Sequence, residues 1–191
     1  MANQKRRDHR PSVTAIHQLH STQGYEPMGV EIREIGKQEL LEYYHDLLPD
    51  VESNDSFTYA NSSHRDWLQR KIDHHFGRGC RVFSAFSGTD PIGFITAIFE
   101  TNPFMPGYSE ILELGVIANS RRMGVGTKLI EHVVKISSEL GLCTVLVSTY
   151  AAEYGTICFY GRNSFHPVAT IDGMNGPKDR GQLYMSRRVS E

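Results

Sequence analysis

Apolar and polar residues alternate along several short stretches of the chain, which is the pattern of β-strands that bury one face. Residues 30–35, VEIREI, alternate in this way, and the β-branched and aromatic runs 81–86 and 92–99 flank a turn rich in Gly, Asp and Pro. Further strands are predicted at residues 110–117, 142–149, 165–171 and 182–189. The nearly continuous apolar run 142–149 is typical of a strand that is buried on both faces.

Apolar residues at helical spacing predict four helices between these strands. Residues 38–48 form the first and end at a proline, and residues 63–77 begin with a capping signal and end at a glycine. Residues 125–140 carry one continuous apolar face, and residues 153–163 form a short fourth helix. The order β α α β β β α β α β β closes most naturally as a central mixed sheet with helices on both faces.

The length of 191 residues indicates a single domain with at most a short appendage. Residues 1–28 show no clear period and are predicted to form a flexible arm, which leaves residues 29–191 as the domain. A formal net charge of −2 gives no electrostatic reason to expect a nucleic-acid partner. No apolar run is long enough to span a bilayer, so no membrane association is expected.

Cysteine and histidine usage narrows the possible chemistry. Cys80, Cys143 and Cys158 lie in apolar stretches without a CxxC pair, which predicts buried reduced thiols in a cytoplasmic protein. The nine histidines show no metal-ligand spacing, so no metal site is expected.

The segment between the predicted strand 110–117 and the helix 125–140 carries the clearest chemical signal. Gly124 and Gly126 lie at the start of the helix, where unpaired N–H groups and the positive end of the helix dipole favour phosphate groups. The segment lacks the Lys-Ser/Thr of a P-loop and the third glycine of the dinucleotide fingerprint, which disfavours ATP and NAD. Gly115, inside the preceding strand, marks a bulge or the close approach of a ligand to the backbone.

In this setting the run from Arg121 to Gly126, R-x-x-G-x-G, resembles the pyrophosphate-binding motif of the GNAT superfamily of acyl-CoA-dependent N-acyltransferases. That motif, Q/R-x-x-G-x-G/A, lies in the family between a bulged strand and a helix. Residues 158–165, CFYGRNSF, match the F-Y-x-x-x-x-F helix of the family. The resemblance extends over residues 30–189 and implies a mixed, mostly antiparallel sheet with a bulged fourth strand.

The resemblance implies acetyl-CoA as a co-substrate and no metal. Backbone groups of Leu114, Gly115 and Val116 would hold the pantetheine arm as a neighbouring strand would. Glu153 stands where the family often has an asparagine that touches the cofactor. The pyrophosphate would be bound by the motif's Arg121 and by the backbone amides of Arg122, Met123, Gly124, Val125, Gly126 and Thr127.

Three residues are implied for catalysis. Tyr160 matches the family's tyrosine, whose hydroxyl would donate a hydrogen bond or a proton to the departing CoA thiolate. Glu110 is the first candidate for the base, because its place six residues before Val116 matches a glutamate used in some branches of the family. Glu113 is the second candidate; alternation puts it on the opposite face unless a bulge at Gly115 shifts the register, and a water held by either carboxylate is a further possibility.

The implied reaction is direct attack of a neutral amine on acetyl-CoA, with backbone N–H groups stabilising the oxyanion. A small cationic amine, such as a polyamine or an aminoglycoside, is favoured as acceptor, with a peptide N-terminus or lysine as the alternative in the same enzyme class. A sensor module that binds acyl-CoA without turnover is the alternative in another class. Sheet edges at 165–171 and 182–189 could pair across a homodimer. The acidic residues that favour a cationic acceptor are Glu52, Asp55, Glu110 and Glu153.

Overall fold

The computed structural model describes residues 29–47, 64–101, 103–104, 107–173 and 181–189, and the predicted arm 1–28 lies outside this part of the chain. The described strands are β1 (Val30–Ile35), β2 (Arg81–Ser87), β3 (Asp90–Glu100), β4 (Tyr108–Val116), β5 (Thr144–Tyr150), β6 (His166–Ile171) and β7 (Gln182–Arg188). The described helices are α1 (Lys37–Leu47), α2 (His64–Gly77), α3 (Val125–Glu139) and α4 (Tyr154–Arg162), with a short 3-10 turn at Ala118–Ser120. The predicted order of elements is confirmed.

The strands form one seven-stranded sheet in the order β1-β2-β3-β4-β5-β7-β6. Neighbouring strands run antiparallel except β4 and β5, which are parallel. The mixed, mostly antiparallel sheet is therefore confirmed. The expectation that β7 forms an edge is wrong, because β7 pairs on both sides and leaves β6 at that edge.

Two apolar cores lie on the two faces of the sheet. On one face the stripe of α3 that includes Leu129 and Val133 is fully buried together with Ile95 of β3 and Val145 of β5. On the other face α1 and α2 pack over β1 to β4, with Leu40 and Ile72 among the buried residues. Full burial of such a side chain contributes about 1.5–3 kcal/mol, so each helix is held mainly by its apolar face.

Strand β5 departs from its sequence-based prediction. Val145 and Val147 are buried against the α3 side, whereas Leu146 and Ser148, on the other face, are only half-buried. The prediction of a strand buried on both faces is therefore wrong. In the described chain the residues packed with α1 and α2 come from β1 to β4, which leaves the second face of β5 open.

Two of the three thiols differ from the prediction, and one agrees with it. Cys80 is buried, but Cys143 and Cys158 are exposed. An apolar neighbourhood in sequence does not determine which way a side chain faces, because the buried face is set by the packing partner of each element. No helix in the described residues is long and apolar enough to cross a membrane.

Candidate active site

A cleft opens in the middle of the sheet where β4 and β5 diverge. The two parallel strands pair only over four residues each, from Tyr108 to Ile111 and from Thr144 to Val147. Both strands continue beyond this ladder, and among the described residues 112–116 form no ladder pairs with residues 148–150. The backbone of β4 is therefore open on one side at the end of the strand that leads to α3.

A β-bulge in β4 lies at the start of this cleft. Glu113 is opposite Thr96 on β3, and Ile111 is opposite the next residue, Ala97, so Leu112 is the extra residue of the bulge. The bulge lies three residues before Gly115, where the sequence suggested one. Since an extra residue shifts the alternation of side chains, the residues on either side of it change faces.

The bulge brings both candidate bases to the same face of the sheet. Leu112 packs in the core under α1 and α2, and Glu110 and Glu113 both contact side chains of α2. The face predicted for Glu113 by simple alternation is thus wrong, because the register shifts at Leu112. The two carboxylates are 24% and 13% exposed, so Glu113 is the more buried of the two.

Each carboxylate forms an ion pair with a cation of α2. Lys71 Nζ contacts Glu113 Oε1, and Arg78 Nη2 lies 3.4 Å from Glu110 Oε2. Lys71 and Arg78 are seven residues apart, which puts them on one face of a helix and about 10 Å apart along its axis. Glu113 and Glu110 are separated by about the same distance along an extended strand. The matched spacing allows α2 to pair with both carboxylates of β4.

Buried polar groups lie close to Glu113. Thr96, directly opposite on β3, is 1% exposed, and its Oγ1 has no hydrogen-bond partner among the described residues. Burial lowers the pKa of His75, and the negative charge of Glu113 partly opposes that shift. Burial, and then the charge of Glu113, raise the pKa of the Cys80 thiol to about 11. The charge of Glu113 therefore affects the protonation of two groups near the C-terminal end of α2.

The turn between β4 and α3 is tied back to the strand. Arg121 Nε donates a hydrogen bond of 3.0 Å to the carbonyl oxygen of Val116. Gly124 is the N-cap residue of α3 with φ of 81°, and Arg122 also has a positive φ of 64°. No side chain caps the helix, so the N–H groups of its first turn have no partner within the helix.

Gly126 and Gly115 lie where a larger side chain would collide with a neighbouring aromatic ring. A Cβ on Gly126 would lie 3.0 Å from Cζ of Phe159, so α3 and α4 approach closely there. A Cβ on Gly115 would lie 2.7 Å from Cε1 of Phe94. In contrast, a Cβ on Gly124 would meet nothing within 4 Å, which leaves room for a ligand at the start of α3.

Tyr160 lies in α4 on the α3 side of the sheet. Its ring is packed between Phe159 and Phe165, with centroid separations of 5.3 and 5.4 Å, and the residue is 5% exposed. Burial raises the pKa of the Tyr160 hydroxyl well above its usual range, so the group stays protonated at neutral pH. Glu153 is the N-cap residue of the same helix and makes no capping hydrogen bond with its side chain.

Sequence reasoning did not identify the α2 residues that contact the two carboxylates. The seven-residue spacing of Lys71 and Arg78 on a predicted helix was an available signal, because it puts two cations on one face. Their partners could not be inferred, since the register of β4 depends on the bulge at Leu112. Of the acidic residues expected near an acceptor, Glu52 and Asp55 lie outside the described residues.

The architecture is that of known acetyltransferases. It matches a Bacillus subtilis acetyltransferase in complex with CoA at 17% identity and a TM-score of 0.61, over 85% of this chain and 100% of that one. It matches the aminoglycoside 6′-N-acetyltransferase of Enterococcus faecium at 18% identity and a TM-score of 0.60, over 84% and 98% of the two chains. It also matches the ribosomal-protein-alanine N-acetyltransferase of Brucella melitensis at 17% and 0.61, over 83% and 99%.

The mixed sheet, which opens beside a glycine-containing helix start, and the match to a family model together identify the chain as an acyltransferase. The model of the Acetyltransferase (GNAT) family matches residues 39–165, about two thirds of the sequence. The chain belongs to the GNAT family, whose members depend on acetyl-CoA. A search of curated proteins finds no significant sequence match.

Proposed function

We propose that the protein transfers the acetyl group of acetyl-CoA to a primary amine of a small cationic acceptor. The observation that carries this proposal is the pair of carboxylates on one face of β4 where the cleft begins, Glu110 and Glu113, each of which forms an ion pair with a cation of the chain itself. An acceptor with several amines carries the positive charges needed to replace these cations on the two carboxylates. A polyamine or an aminoglycoside has this chemistry.

The residues of the cleft and of the helix start fit acetyl-CoA. The open backbone of Leu114, Gly115 and Val116 can hydrogen-bond an extended pantetheine arm in the way that a further strand would. The amides of residues 122–127 and the dipole of the fifteen-residue helix α3 suit a pyrophosphate. Arg121 holds this turn against Val116, which keeps the two parts of the binding surface together. Once bound, acetyl-CoA supplies an activated acetyl group.

Glu110 is the base that we propose for an external acceptor. It is more exposed than Glu113, and its partner Arg78 lies 3.4 Å away and is 42% exposed, so an incoming ammonium group can reach the carboxylate. An amine attacks only after it loses its proton, and a carboxylate within hydrogen-bond reach, or a water that it holds, accepts that proton. Glu113 remains the second candidate because it faces the same side of the sheet.

Tyr160 acts in this proposal as a hydrogen-bond donor to the leaving sulfur. The raised pKa of its hydroxyl makes complete transfer of the proton to a thiolate unfavourable, because a thiol is the stronger acid. A hydrogen bond to the developing negative charge stabilises the transition state without that transfer. Burial of the ring against Phe159 and Phe165 holds the hydroxyl in one orientation.

Two further expectations accompany this function. The free thiols are consistent with a reducing compartment, and we expect a cytoplasmic enzyme. Edge strand β6 exposes Val168 and Ile171 by 53% and 46%, which suits the pairing of two copies in a homodimer.

The test is release of CoA thiol from acetyl-CoA in the presence of separate panels of polyamines, aminoglycosides, amino acids and short peptides. The proposal expects release that depends on a cationic small molecule and follows saturation kinetics. Release with peptides alone would favour the alternative of a protein acetyltransferase. Binding of acetyl-CoA with no release for any amine would favour the sensor.

The base is assigned by two isosteric variants. Glu110→Gln is expected to lower kcat by about a hundredfold or more if Glu110 is the base, with acetyl-CoA binding unchanged. Glu113→Gln tests the second candidate in the same assay. Glu31→Gln, at an exposed position on edge strand β1 and three strands away from β4, is the matched control for loss of one carboxylate and is expected to leave kcat unchanged.

A further inference from the structure

The contact between Lys71 and Glu113 puts an amine of the chain itself beside the cleft. Lys71 Nζ contacts Glu113 Oε1, and the two side chains are 29% and 13% exposed. Glu113 immediately precedes Leu114, the first of the three residues whose open backbone is proposed to hold the pantetheine arm. Lys71 therefore places a primary amine within one residue of the backbone on which the reacting end of that arm would lie.

The direction of α2 determines which cation lies closest to the reacting end. Lys71 pairs with Glu113, at the start of the cleft, whereas Arg78 pairs with Glu110, beside the part of β4 that still pairs with β5. The residue at the cleft is thus a lysine, whose amine becomes a nucleophile when it loses a proton. The residue farther away is an arginine, which stays protonated in proteins.

Glu113 is arranged to accept that proton. Its carboxylate contacts the Lys71 ammonium directly, and Thr96, opposite on β3, is buried beneath it. An amine attacks only after it loses its proton, and the contacting carboxylate is within reach to accept that proton. The same contact that pairs the two charges therefore provides a route to a neutral amine.

We propose that Lys71 is an acetyl acceptor of its own active site, modified in cis; this inference rests on the proposed function. Glu113 takes one proton from the Lys71 ammonium, and the neutral Nζ forms a bond to the thioester carbonyl carbon. The carbon–sulfur bond breaks, its electron pair leaves with the sulfur, and the thiolate becomes CoA thiol by taking up the second proton that the attacking nitrogen loses. The balance is one lysine ammonium and one acetyl-CoA to one acetyl-lysine, one CoA thiol and one proton.

Acetylation changes the charge beside the cleft. An acetylated Lys71 carries no positive charge, so Glu113 loses this counter-ion. Modification thereby makes the carboxylate more attractive to the ammonium group of an external acceptor. Self-acetylation is therefore expected to affect transfer to a cationic substrate, because both reactions involve Glu113.

Other lysines of the chain serve as internal controls. Lys37 is paired with Asp73 on α2, at 44% and 47% exposure, and Lys135 is paired with Glu139 on α3, at 74% and 60% exposure. Non-enzymatic acetylation favours exposed amines, because they reach acetyl-CoA from solution. A background reaction would therefore modify Lys135 and Lys37 before Lys71, whereas an active-site reaction would reverse that order.

The experiment incubates the full-length protein with acetyl-CoA in the absence of any acceptor and maps acetyl-lysine by mass spectrometry over time. We expect Lys71 to be modified at least about tenfold faster than Lys37 and Lys135. The rate at Lys71 is expected to be independent of protein concentration, as for a reaction within one molecule. Modification of Lys71 no faster than of the two exposed lysines, or a rate proportional to protein concentration, would overturn the proposal.

Glu113→Gln and calorimetry complete the test. This variant is expected to slow acetylation of Lys71 about tenfold or more and to leave acetylation of Lys37 unchanged. Equal rates at Lys71 in the wild-type protein and the variant would contradict the mechanism. Titration calorimetry with acetyl-CoA separates this proposal from the function on which it rests. Binding without Lys71 acetylation refutes self-acetylation alone, whereas absence of binding refutes the proposed function and this inference with it.

Discussion

The ring of Phe94 occupies the space that a side chain at Gly115 would need. A Cβ at Gly115 would stand 2.7 Å from Cε1 and 3.3 Å from Cδ1 of that ring, and Phe94 is itself 1% exposed. Because the ring is held in the core, it cannot move away without disturbing α1 and α2. Close packing of β3 against β4 therefore requires the absence of a side chain at Gly115.

Gly115→Ala is expected to lower the free energy of unfolding by about 1–3 kcal/mol, the usual cost of adding a methyl group to a filled core. Urea denaturation followed by circular dichroism measures the change. Gly161→Ala is the control, because a Cβ at Gly161 in helix α4 meets nothing within 4 Å. That variant is expected to be stabilised by about 0.5–1 kcal/mol. Similar stabilities for the two variants would refute the packing explanation.

Tyr160→Phe is expected to lower kcat for acetyl transfer at least about tenfold while the affinity for acetyl-CoA is retained. The ring packing survives the change, since only the hydroxyl is removed from a ring held by Phe159 and Phe165. Thiol release gives kcat, and titration calorimetry gives the dissociation constant.

Tyr154→Phe is the matched control for the loss of a hydroxyl. Tyr154 lies on the same helix and is 77% exposed, so its hydroxyl is in solvent. The control is expected to keep its turnover. An unchanged kcat in the Tyr160 variant would exclude the hydroxyl from the chemical step.

His132 is expected to make the fold less stable as the pH falls. Burial, with its ring 4.8 Å from that of Phe83, is the main cause of a lowered pKa; Lys135 and Arg81 lower it further. The neutral ring is therefore favoured in the folded state, and its contribution is present above the unfolded pKa of about 6.5. That contribution is lost as the pH falls below this value, because the unfolded chain binds the proton more tightly.

Unfolding free energies measured from pH 8 to pH 5 check this dependence, in the wild-type protein and in His132→Gln. The wild-type curve is expected to fall more steeply below about pH 6.5 than that of the variant. The lowered pKa of His75 contributes to the same range in both proteins, so the difference between the curves isolates His132. Parallel curves would contradict a half-buried His132 that is neutral in the folded state.

Cys80 is expected to resist thiol reagents in the folded protein. It is 6% exposed, and burial together with the charge of Glu113 raises its pKa to about 11, so very little thiolate is present at neutral pH. Cys143 and Cys158 are exposed and should react quickly. Titration with a chromogenic disulfide should show two fast thiols in native protein and a third only in denaturant.

Cys80→Ser is the control for that titration. The variant should keep both fast thiols and lose the one that reacts after unfolding. Three equally fast thiols in the native wild-type protein would show that α2 does not cover Cys80 as the structure describes.

Local patterns in the sequence predicted which segments form helices and strands, because periodicity reports the face that each element buries. The turn from Arg121 to Gly126 was also predicted from local sequence, because two glycines at the start of an amphipathic helix indicate a turn that can bind a phosphate group. The mixed sheet and its helical layers followed from the order of elements. Family membership, which rests on the same local motifs, agrees with the family match over residues 39–165.

Local sequence patterns could not predict which face of the sheet Glu113 lies on or which residue it contacts. Alternation assigns a face only while the register is unbroken, and the extra residue Leu112 depends on how β3 and β4 fit together. For the same reason Lys71 could not be paired with Glu113 from sequence, because the contact joins elements that are distant along the chain.

The sequence by itself therefore determined the elements, their order and the glycine-containing turn, which depend on interactions between residues close along the chain. Only the tertiary structure decided that Glu110 and Glu113 share a face, that β7 lies inside the sheet, and that Cys143 and Cys158 are exposed. These features depend on strand register and on which faces find a packing partner, and both are settled when distant segments pack together.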